Sequence, residues 1–482
     1  MSKKQSNEGL TIKKDDNFSE WYQQLILKSE LADYSSVSGC VILRPRSYSV
    51  WEKIKEECDK RFKEIGIQNS YFPLFIPEKS FSREKQHVKG FTPEVAWVTS
   101  AGNTKLKERL AIRPTSEAIM YESYSKWIRS WRDLPLKLNQ WNNVVRWEFN
   151  NPVPFFRTRE FLWNEGHTVF ATEKEALAEG KQIRKVYEDV VEEFMALPGI
   201  YGRKTEKEKF AGAVFSEKLH YYLPNGRIIE GPCFHHDGQN FAKAYDIKFK
   251  TESDATEFAW QNTFAISTRM LGTMFAVHSD DKGLIIPPKL AENKVVIVPI
   301  LFEKTKNKVL NEVKRIEKEL KDYSPIIDER TDVSPGWKFN EWELKGIPLR
   351  IEIGPKDLEK KQVVIAKRND GKKHSVKFND IKKEVPKLLN EIQNELYKNA
   401  EKLFKDNTTK TESKAQLIKD IKNKKMVLVP MCKSHDCEDI LKTDTGGAKT
   451  LFIHPENPPI SKNKCIICDK KADYWVYVGK TY

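Results

Sequence analysis

The residues best suited to chemistry lie on two segments joined by a turn of asparagine and proline. Residues 145–149 and 157–163 both follow a period of two, which predicts two paired strands. One face of this hairpin would carry Arg146, Glu148, Arg157, Arg159, Phe161 and Trp163. Guanidinium groups bind phosphate oxygens in pairs and rings stack on bases, so the face suits a phosphorylated ligand with a flat ring system. A hairpin with one solvated face is the alternative, but solvation alone requires no large rings there.

Four of the cysteines are clustered near the end of the sequence. Cys432 and Cys437 form a Cys-x4-Cys pair, and Cys465 and Cys468 follow as a Cys-x2-Cys pair. Four thiolates at this spacing predict a tetrahedral site that selects zinc, and a closed site of this kind is structural. His435 is a competing ligand. The remaining cysteines are isolated, so the pattern indicates a reducing compartment rather than a disulfide framework.

Two further segments contain polar residues in unusual surroundings. Residues 260–288 are predicted to form a helix followed by a short strand, and burying Arg269 there is costly without an anion or a carboxylate beside it. His235, His236 and Asp237 form a polar run that could hold a metal. However, adjacent residues of a strand point to opposite faces, so only one of the two histidines could line a site.

Residues 109–119 are predicted to be a strand that turns into a helix. Thr115 or Ser116 can cap this helix, and Glu117 lies in its first turn. A simple capped helix explains these residues locally. The alternative is that their hydroxyl and carboxylate groups contact a substrate.

The composition narrows the class of protein. The 482 residues carry a formal net charge of +14, which favours a polyanionic partner without identifying it. No apolar run approaches the roughly 18–20 residues that span a bilayer, and the polar first residues do not resemble a signal peptide. We therefore expect about three domains, no membrane segment and a disordered tail over residues 1–16.

The secondary structure predicted to position these residues changes along the chain. Asn225-Gly226 predicts a hairpin turn within the first part. Residues 294–404 alternate strands with helices, which predicts a small α/β domain. Within it, residues 334–357 interleave aromatic and basic side chains, a pattern that binds splayed bases but also fits a solvated charged helix. Residues 408–425 are interpreted as a polar linker.

Together these segments resemble the prolyl-tRNA synthetases of the archaeal and eukaryotic type, within the class II aminoacyl-tRNA synthetases. VVRWE, a loop and FFRTREFLWNEGH are similar to motif 2. A long helix, Gly66 and a strand containing Pro73 resemble motif 1, which forms the dimer interface in the family. Arg269 lies in a segment similar to motif 3, although residues 264–267 depart from the usual Trp-Gly-Leu-Thr. The resemblance extends along nearly the whole chain.

The resemblance implies a role for each site residue. Proline would be bound by Thr115, Glu117, Arg146, Trp163, His167, Phe210 and His235. ATP would be bound by Arg146, Glu148, Arg157, Thr158, Phe161, Glu230, Ser267 and Arg269. The catalytic residues would be the arginines that hold the phosphates, Arg146, Arg157 and Arg269. Where relatives often have Gln and Thr, this chain has Glu230 and Cys233.

The resemblance also implies the fold. We expect an α+β class II catalytic domain on an antiparallel sheet over residues 17–288. An α/β anticodon-binding domain over residues 289–400 and a small zinc-binding α+β domain over residues 401–482 would follow. The anticodon bases would be contacted by Phe339, Glu343, Arg350 and Lys356. The short spacing between motifs 2 and 3 leaves no room for the editing domain that bacterial-type relatives insert.

The implied function is the ligation of proline to tRNA. ATP would activate L-proline as prolyl-adenylate, and proline would then pass to the 3′ end of tRNA(Pro), with release of AMP and pyrophosphate. The implied cofactors are a structural zinc ion and magnesium with ATP, and the implied setting is a cytoplasmic homodimer. Two alternatives remain open: another class II specificity, such as threonyl or histidyl, and an inactive tRNA-binding relative. The presence of all three arginines argues against the second.

Overall fold

The computed structural model describes residues 9–80, 94–148, 151–458, 460 and 463–482. Up to residue 288 the described helices are α1 (Phe18–Lys28), α2 (Pro45–Glu64), α3 (Glu117–Trp127), α4 (Glu173–Glu193), α5 (Asn240–Tyr245) and α6 (Arg269–His278). The strands there are β1 (Ala32–Tyr34), β2 (Val41–Leu43), β3 (Gln68–Asn69), β4 (Phe75–Pro77), β5 (Trp97–Ala101), β6 (Thr104–Ile112), β7 (Leu136–Val145), β8 (Glu160–Phe170), β9 (Ile200–Arg203), β10 (Phe215–Tyr222), β11 (Arg227–Gly238), β12 (Lys248–Lys250), β13 (Thr256–Phe258) and β14 (Trp260–Ser267).

The remaining elements lie beyond residue 288. The helices are α7 (Lys306–Glu319), α8 (Pro335–Leu344), α9 (Pro355–Glu359), α10 (Ile381–Asp406), α11 (Lys414–Lys422) and α12 (His435–Asp444). The strands are β15 (Val295–Pro299), β16 (Ile326–Ile327), β17 (Leu349–Ile353), β18 (Gln362–Lys367), β19 (Lys373–Lys377), β20 (Thr408–Lys410), β21 (Met426–Met431), β22 (Lys449–Ile453) and β23 (Tyr474–Thr481).

One large, mostly antiparallel sheet carries the cavity that contains most of the predicted site residues. Its strand order is β20-β21-β23-β22-β9-β10-β11-β14-β8-β7-β3. The predicted Asn225-Gly226 turn joins β10 to β11, and Gly226 adopts a φ of 86°, a conformation that glycine reaches without strain. The antiparallel catalytic sheet predicted from the resemblance is thus confirmed.

Helices α1, α2, α4 and α6 cover the side of the sheet that faces away from the cavity. Helix α4 begins with a capping box, in which the side chains of Thr172 and Glu175 each accept from the other residue's backbone N–H group. Its buried face includes Ile183, Val190 and Val191. The ring of Phe264 on β14 packs directly against Gly166 on β8. Only glycine fits there, because a Cβ on residue 166 would lie 2.0 Å from that ring. This packing fixes the strands that position the site.

Two sequence-based predictions about this part are wrong. Residues 9–16 do not form a disordered tail: Leu10 and Ile12 pack against the main core, and Lys14 donates a 2.7 Å hydrogen bond to the carbonyl of Ser279. Residues 1–8 lie outside the described residues. The segment 260–288 begins with strand β14, paired on both sides, and its helix α6 comes second. Tertiary pairing therefore outweighs the helical pattern of this segment.

The predicted strand over residues 68–76 is split at its proline. Strand β3 runs parallel to β7 in the large sheet, whereas β4 pairs with β6 in a separate sheet of three strands. Pro73 lies between them and has no N–H group to donate to a continuous ladder. The two halves of the motif 1 segment therefore serve different sheets.

The predicted α/β unit is present, with a five-stranded sheet in the order β16-β15-β17-β18-β19. Its core combines β15 and β17 with the apolar faces of α7 and α10. The guanidinium of Arg368 makes two hydrogen bonds to the carboxylate of Asp280, at 2.7 and 2.9 Å, and so ties this unit to the preceding one. Helix α10 extends to Asp406, past the expected boundary at residue 400.

The segment predicted to be a polar linker is structured instead. Strand β20 pairs with β21, and α11 buries Leu417 and Ile421 in the C-terminal core. Strand β22 pairs with β9 through Ile453 and Arg203, so the C-terminal sheet continues the catalytic sheet. The linker prediction failed because α11 is amphipathic: its lysines, Lys414, Lys419 and Lys422, are exposed while Leu417 and Ile421 are buried.

Candidate active site

A cavity of about 310 Å³ opens on one face of β8, β11 and β14. Period-two alternation places residues from all three strands on this face: Trp163, Glu165, His167, Cys233, His235, Thr263, Ala265 and Ser267. The start of α3 supplies Thr115 and Glu117, and the loop after β9 supplies Phe210. All seven residues predicted to bind proline therefore line one cavity.

One end of this cavity is a network of hydroxyl, carboxylate and imidazole groups. The Thr115 hydroxyl donates to the carboxylate of Glu117. Ligand atoms of Glu117, Glu165 and His167 all lie within 4.8 Å of one another. Two buried carboxyl groups this close together repel each other when both are ionised, and a bound cation would relieve that repulsion.

Glu165 is the most informative residue that the sequence analysis missed. Its carboxylate accepts from the Asn142 and Gln140 amides at 2.8 and 3.0 Å, and the ring of His167 lies 3.3 Å away. Burial alone would raise the pKa of Glu165, but hydrogen bonds, first among them that from His167, hold the pKa below its usual range. Its position on the same strand face as Trp163 and His167 was a signal that could have identified it.

Ser116 occupies the N-cap of α3, but its side chain does not cap the helix. It turns instead to Glu165, to which both its hydroxyl and its backbone N–H donate. The predicted capping role is therefore wrong, because the buried carboxylate competes for the same hydroxyl.

The aromatic wall of the cavity is held by Ser216. The ring of Phe210 lies 5.1 Å from the ring of His235, and the Phe210 N–H donates a 2.9 Å bond to the Ser216 hydroxyl. The same hydroxyl lies 2.6 Å from Nδ1 of His235. Burial lowers the pKa of His235 to about 3, so the ring is neutral near pH 7.

Two of the predicted phosphate-binding arginines, Arg146 and Arg269, line the same cavity. Nε of Arg146 donates to the Pro114 carbonyl at 2.9 Å, and its guanidinium lies 5.6 Å from the ring of Phe161. Arg269 begins α6, and its Nε donates to the Phe156 carbonyl at 3.3 Å. Burial, helped by Arg146 and Arg157, lowers the pKa of Arg269, while Glu230 opposes that shift. A cluster of like charges beside an aromatic ring suits an anionic nucleotide.

Arg157 lines a second, adjoining cavity of about 270 Å³. The two cavities share four lining residues: Glu208, Lys218, Glu230 and Arg269. Tyr482 also lines the second cavity and stacks on Phe156 at 4.9 Å, close to the site. The three predicted catalytic arginines are therefore divided between two connected spaces.

Other residues of the predicted hairpin face do not reach the cavities. Arg159 stacks on Trp147 at 4.4 Å and donates to the Ser38 carbonyl. Glu148 is exposed and Thr158 is buried, but neither lines the cavities. Strand β7 ends at Val145 and β8 begins at Glu160, so the alternation that placed Glu148 and Arg159 on one face does not extend to either residue. Phe149 and Asn150, which belong to the same predicted hairpin, lie outside the described residues.

The two adjacent histidines lie on opposite faces, as predicted. His235 lines the cavity, whereas His236 stacks on Trp260 and its Nδ1 lies 2.9 Å from the Asn262 side-chain oxygen. Asp237 is fully buried, and burial raises its pKa well above the usual range. These three residues do not group as a metal site in the described part of the chain.

The four clustered cysteines come together as predicted. All four sulfur atoms lie within 4.8 Å of one another, and Cys432 Sγ is 3.5 Å from that of Cys437 and 3.8 Å from that of Cys468. Thiolates about 2.3 Å from a tetrahedral zinc ion stand about 3.8 Å apart, so the cluster fits that ion. His435 is not part of the cluster, although it begins helix α12.

Three of the four predicted anticodon-binding residues are neighbours. The guanidinium of Arg350 lies 4.3 Å from the ring centre of Phe339, and its Nη1 is 3.0 Å from a carboxylate oxygen of Glu343. Lys356 stands apart on the short helix α9, where it is exposed. The ion pair with Arg350 occupies part of the Glu343 carboxylate, a constraint that sequence alone did not reveal.

Comparison with known proteins assigns all three parts. Residues 97–278 match the tRNA synthetase class II core domain (G, H, P, S and T), residues 294–388 the anticodon binding domain, and residues 415–482 the C-terminal domain of prolyl-tRNA synthetase. In the described residues no helix is long and apolar enough to cross a membrane.

Several proteins resemble the chain over most of its length. The cytoplasmic proline–tRNA ligase of Arabidopsis thaliana is 43% identical over 100% of this chain and 92% of its own. The proline–tRNA ligase of Natranaerobius thermophilus is 45% identical over 95% and 94%. The crystal structure of prolyl-tRNA synthetase from Cryptosporidium parvum, complexed with halofuginone and AMPPNP, matches with a TM-score of 0.94, at 42% identity over 98% of this chain and 99% of that one.

The large sheet, the arginines beside an aromatic ring and the appended α/β unit define a class II aminoacyl-tRNA synthetase. The match of residues 415–482 to the C-terminal domain of prolyl-tRNA synthetase and the two proline–tRNA ligases above show which of these synthetase families the chain resembles. The chain belongs to the proline–tRNA ligase family.

Proposed function

We propose that the larger cavity is where this chain activates proline with ATP and transfers it to tRNA(Pro). The observation that carries the proposal is that one cavity is lined both by a network of buried carboxylates with His167 and by the arginines Arg146 and Arg269. The network suits the secondary ammonium of proline, and the arginines suit the phosphates. An amino acid whose ammonium is held by the network would present its carboxylate to the nucleotide.

Activation needs positioning more than proton transfer. The carboxylate of proline is already ionised at neutral pH and can attack the α-phosphorus of ATP without a general base. Arg146 would stabilise the charge that develops on the α-phosphate, and Arg157 and Arg269 would hold the β- and γ-phosphates. Magnesium bound with ATP would supply further neutralisation of the phosphate charge. The products of this step are prolyl-adenylate and pyrophosphate.

The base and sugar of the nucleotide would contact the strand residues between the arginines. Phe161 would stack on adenine, and Glu230 and Ser267 would bind polar groups of the nucleoside. Glu148 and Thr158 are left out of this proposal, because neither lines the cavities. In the second step the terminal adenosine hydroxyl of tRNA attacks the acyl carbon, and AMP leaves.

Proline selectivity would come from the wall opposite the carboxylates. Trp163, Phe210 and His235 form a compact, largely apolar surface, and a neutral His235 adds no charge to it. An apolar pocket rejects a slightly smaller amino acid by only about 10–200-fold. We therefore propose that mischarged alanyl-tRNA(Pro) is hydrolysed by another protein; rapid hydrolysis by this chain would contradict that.

The decisive experiment is ATP–pyrophosphate exchange on the purified protein, with proline, threonine, alanine and cysteine compared. Strong exchange with proline and much weaker exchange with the others is expected. Exchange that depends on threonine would support a different class II specificity. A folded protein without exchange would favour an inactive tRNA-binding relative.

The four-cysteine cluster is proposed to hold structural zinc. Cys432, Cys437, Cys465 and Cys468 would complete a closed site, in which zinc crosslinks the start of α12 to the segment before β23. The expected stoichiometry is one zinc ion per chain, measured by elemental analysis of the purified protein.

We also propose a cytoplasmic homodimer. The hairpin β1–β2 exposes Tyr34, Val37 and Ile42, and Tyr71 and Phe75 are exposed on either side of Pro73 in the motif 1 segment. Exposed apolar patches of this kind mark interaction surfaces. Sedimentation equilibrium should give twice the chain mass, and a monomer at micromolar concentration would contradict the proposal. The cytoplasmic location rests on the name of the Arabidopsis relative.

For tRNA we propose that Phe339, Arg350 and Lys356 contact anticodon bases and that Glu343 accepts a hydrogen bond from a guanine edge. The Phe339 ring lies near the two basic groups of Arg350 and Lys373, at 4.3 and 5.6 Å. Aromatic and basic groups together bind unpaired bases by stacking and charge.

A further inference from the structure

One loop connects the C-terminal part of the chain to the substrate cavity. We call residues 204–210, which follow β9, the seam loop. Strand β9 pairs with the C-terminal strand β22 through Arg203 and Ile453, and the seam loop starts at the next residue. Its far end carries Phe210 into the cavity wall.

The seam loop makes several polar contacts with the C-terminal part. The Thr205 hydroxyl donates a 3.1 Å hydrogen bond to the carboxylate of Glu438 on α12. Lys207 pairs with Asp439 and donates to the His435 carbonyl at 3.3 Å. These contacts lie on the first turn or so of α12, so a single helix holds the middle of the loop.

The same loop makes polar contacts on the cavity side. Lys204 Nζ lies 2.7 Å from Glu230, which lines both cavities. Glu208 and Lys209 also line the larger cavity, together with Phe210. The N–H groups of Glu208 and Lys209 donate to the Thr205 carbonyl at 3.2 and 3.0 Å, so the loop is one tight turn. A displacement of Thr205 would therefore move both ends.

Burial and hydrogen bonds fix the carboxylate of Glu438 next to the seam loop. It is 6% exposed, and its carboxylate accepts from hydroxyls on both sides of the junction, those of Thr205 and Thr450. Loss of either bond removes one of the two hydroxyl donors of a buried carboxyl and is therefore costly, so the arrangement resists change. The four-cysteine cluster lies at the start of the same helix, because α12 begins between Cys432 and Cys437.

We propose that Glu438 and Thr205 are positioning residues for the substrate cavity. Helix α12 holds the seam loop through them, and the loop in turn sets where Phe210 faces proline and where Lys204 holds Glu230. The proposal rests on the proposed function, since it concerns the same cavity. The simpler alternative is that these contacts only attach the C-terminal part and leave the cavity unaffected.

The test uses the whole protein and a matched pair of variants. Thr205→Val removes the hydroxyl that reaches Glu438 with little change in volume. Thr445→Val is the control: Thr445 lies at the other end of α12, and its hydroxyl donates to the Leu441 carbonyl at 2.6 Å, away from the loop. Three measurements are compared with the unmodified protein: zinc content, deuterium uptake of peptides covering residues 204–210 without substrates, and KM and kcat in ATP–pyrophosphate exchange.

For Thr205→Val we expect faster deuterium uptake in the seam loop and a rise of about five- to tenfold in KM for proline, as the loss of one hydrogen bond allows. The value of kcat should change less than twofold, because the arginines stay in place, and zinc content should be unchanged. Thr445→Val should leave all three measurements unchanged.

Several results would overturn the proposal. Unchanged KM in Thr205→Val would show that the contact is only structural, whether or not the loop exchanges faster. A fall in kcat with KM unchanged would also contradict positioning. If Thr205→Val fails to fold, Lys207→Ala, which removes an exposed contact of the same loop, decides by the same criteria. A lack of proline-dependent exchange in the unmodified protein would refute the proposed function instead, and deuterium uptake would still report on the loop.

Discussion

Nζ of Lys204 lies 2.7 Å from Oε1 of Glu230, and the lysine side chain is 1% exposed. Lys218 lies 2.6 Å from the other oxygen of the same carboxylate. Burial alone would raise the pKa of Glu230, but Lys218 and Lys204 hold the pKa well below its usual range. Glu230, which stands where relatives often have Gln, is therefore the counter-charge of a buried lysine as well as a residue of the cavity.

Replacing Glu230 should affect stability more than activity. Glu230→Gln leaves Lys204 buried without a counter-charge, so we expect the free energy of unfolding to fall by about 3 kcal/mol. Proline-dependent exchange should stay within about tenfold, because an amide still offers hydrogen bonds to a nucleoside. Urea unfolding and exchange kinetics measure the two effects. The exposed Glu257→Gln is the control for loss of a carboxylate, and equal midpoints for both variants would contradict the prediction.

Removing Arg146 should slow activation. The guanidinium lies between Phe161 and Trp163, 5.6 and 5.3 Å from their rings, and is oriented by the Pro114 carbonyl. Losing a preorganised charge of this kind costs about 3 kcal/mol in activation free energy, so Arg146→Ala should lower kcat for exchange at least about 100-fold. Arg132→Ala, which removes an arginine that lies over the ring of Trp131 and lines neither cavity of the site, should have no such effect. Near-normal turnover in Arg146→Ala would rule out the assigned role.

Buried histidines should make the protein lose stability in mild acid. Burial lowers the pKa of His220 and His235 to about 3 and that of His278 to about 4. Because these values lie below that of an unfolded histidine, the stabilisation is complete above about pH 6.5 and is lost as pH falls toward the folded values. Each histidine adds about 1.4 kcal/mol per pH unit to the slope within that window.

His220→Phe isolates one of these contributions. The ring of His220 packs against Phe452 at 4.3 Å, so another flat ring can take its place. Urea unfolding at pH 7.5, 6.0 and 5.0 gives the pH dependence of the free energy of unfolding. In the variant this dependence should correspond to about one proton fewer taken up on unfolding. Parallel pH dependence in both proteins would show that His220 is not protonated on unfolding.

Loss of one cysteine ligand should release the metal. Cys465→Ser breaks the four-sulfur cluster, so we expect zinc content well below one per chain and a lower Tm, since a structural metal contributes directly to folding. Cys40→Ser removes a cysteine outside the cluster and should leave both unchanged. Full zinc content in Cys465→Ser would point to another ligand, with His435 the first to examine.

Replacing Phe339 should impair aminoacylation of tRNA but not activation of proline. Phe339→Ala removes the ring beside Arg350, and stacking on a base is worth about 1–3 kcal/mol. The KM for tRNA should rise about tenfold or more, whereas exchange, which needs no tRNA, should not change. If both fall together, the ring supports the fold rather than the tRNA contact.

Features of the site that follow from short sequence patterns were predicted correctly, and those that depend on strand ends or on buried partners were not. The cysteine cluster and the alternation that brings Trp163 and His167 to one face are local patterns, and both were predicted correctly. Arg159 was placed wrongly, because it precedes the start of β8 at Glu160 and the alternation of that strand does not extend to it. Glu165 was overlooked although the same alternation places it on that face; the pattern marks its position, but its hydrogen-bond partners appear only in the structure.

Long-range pairing was beyond the sequence analysis altogether. Nothing local to residues 408–425 or to β9 indicates that the two regions join one sheet. Register between strands far apart along the chain is set by tertiary packing. The seam loop therefore became recognisable only in three dimensions.

The pairing of Arg203 with Ile453 also affects how the protein folds while it is being synthesised. A nascent chain of 400 residues already contains every residue that lines the larger cavity. It still lacks β22, so β9 presents an open edge to which other chains can attach. Since domains fold as they leave the ribosome, starting from the N-terminus, this edge stays uncovered until the last part of translation. An enzyme that supplies protein synthesis thus depends on the end of its own synthesis to protect its catalytic sheet.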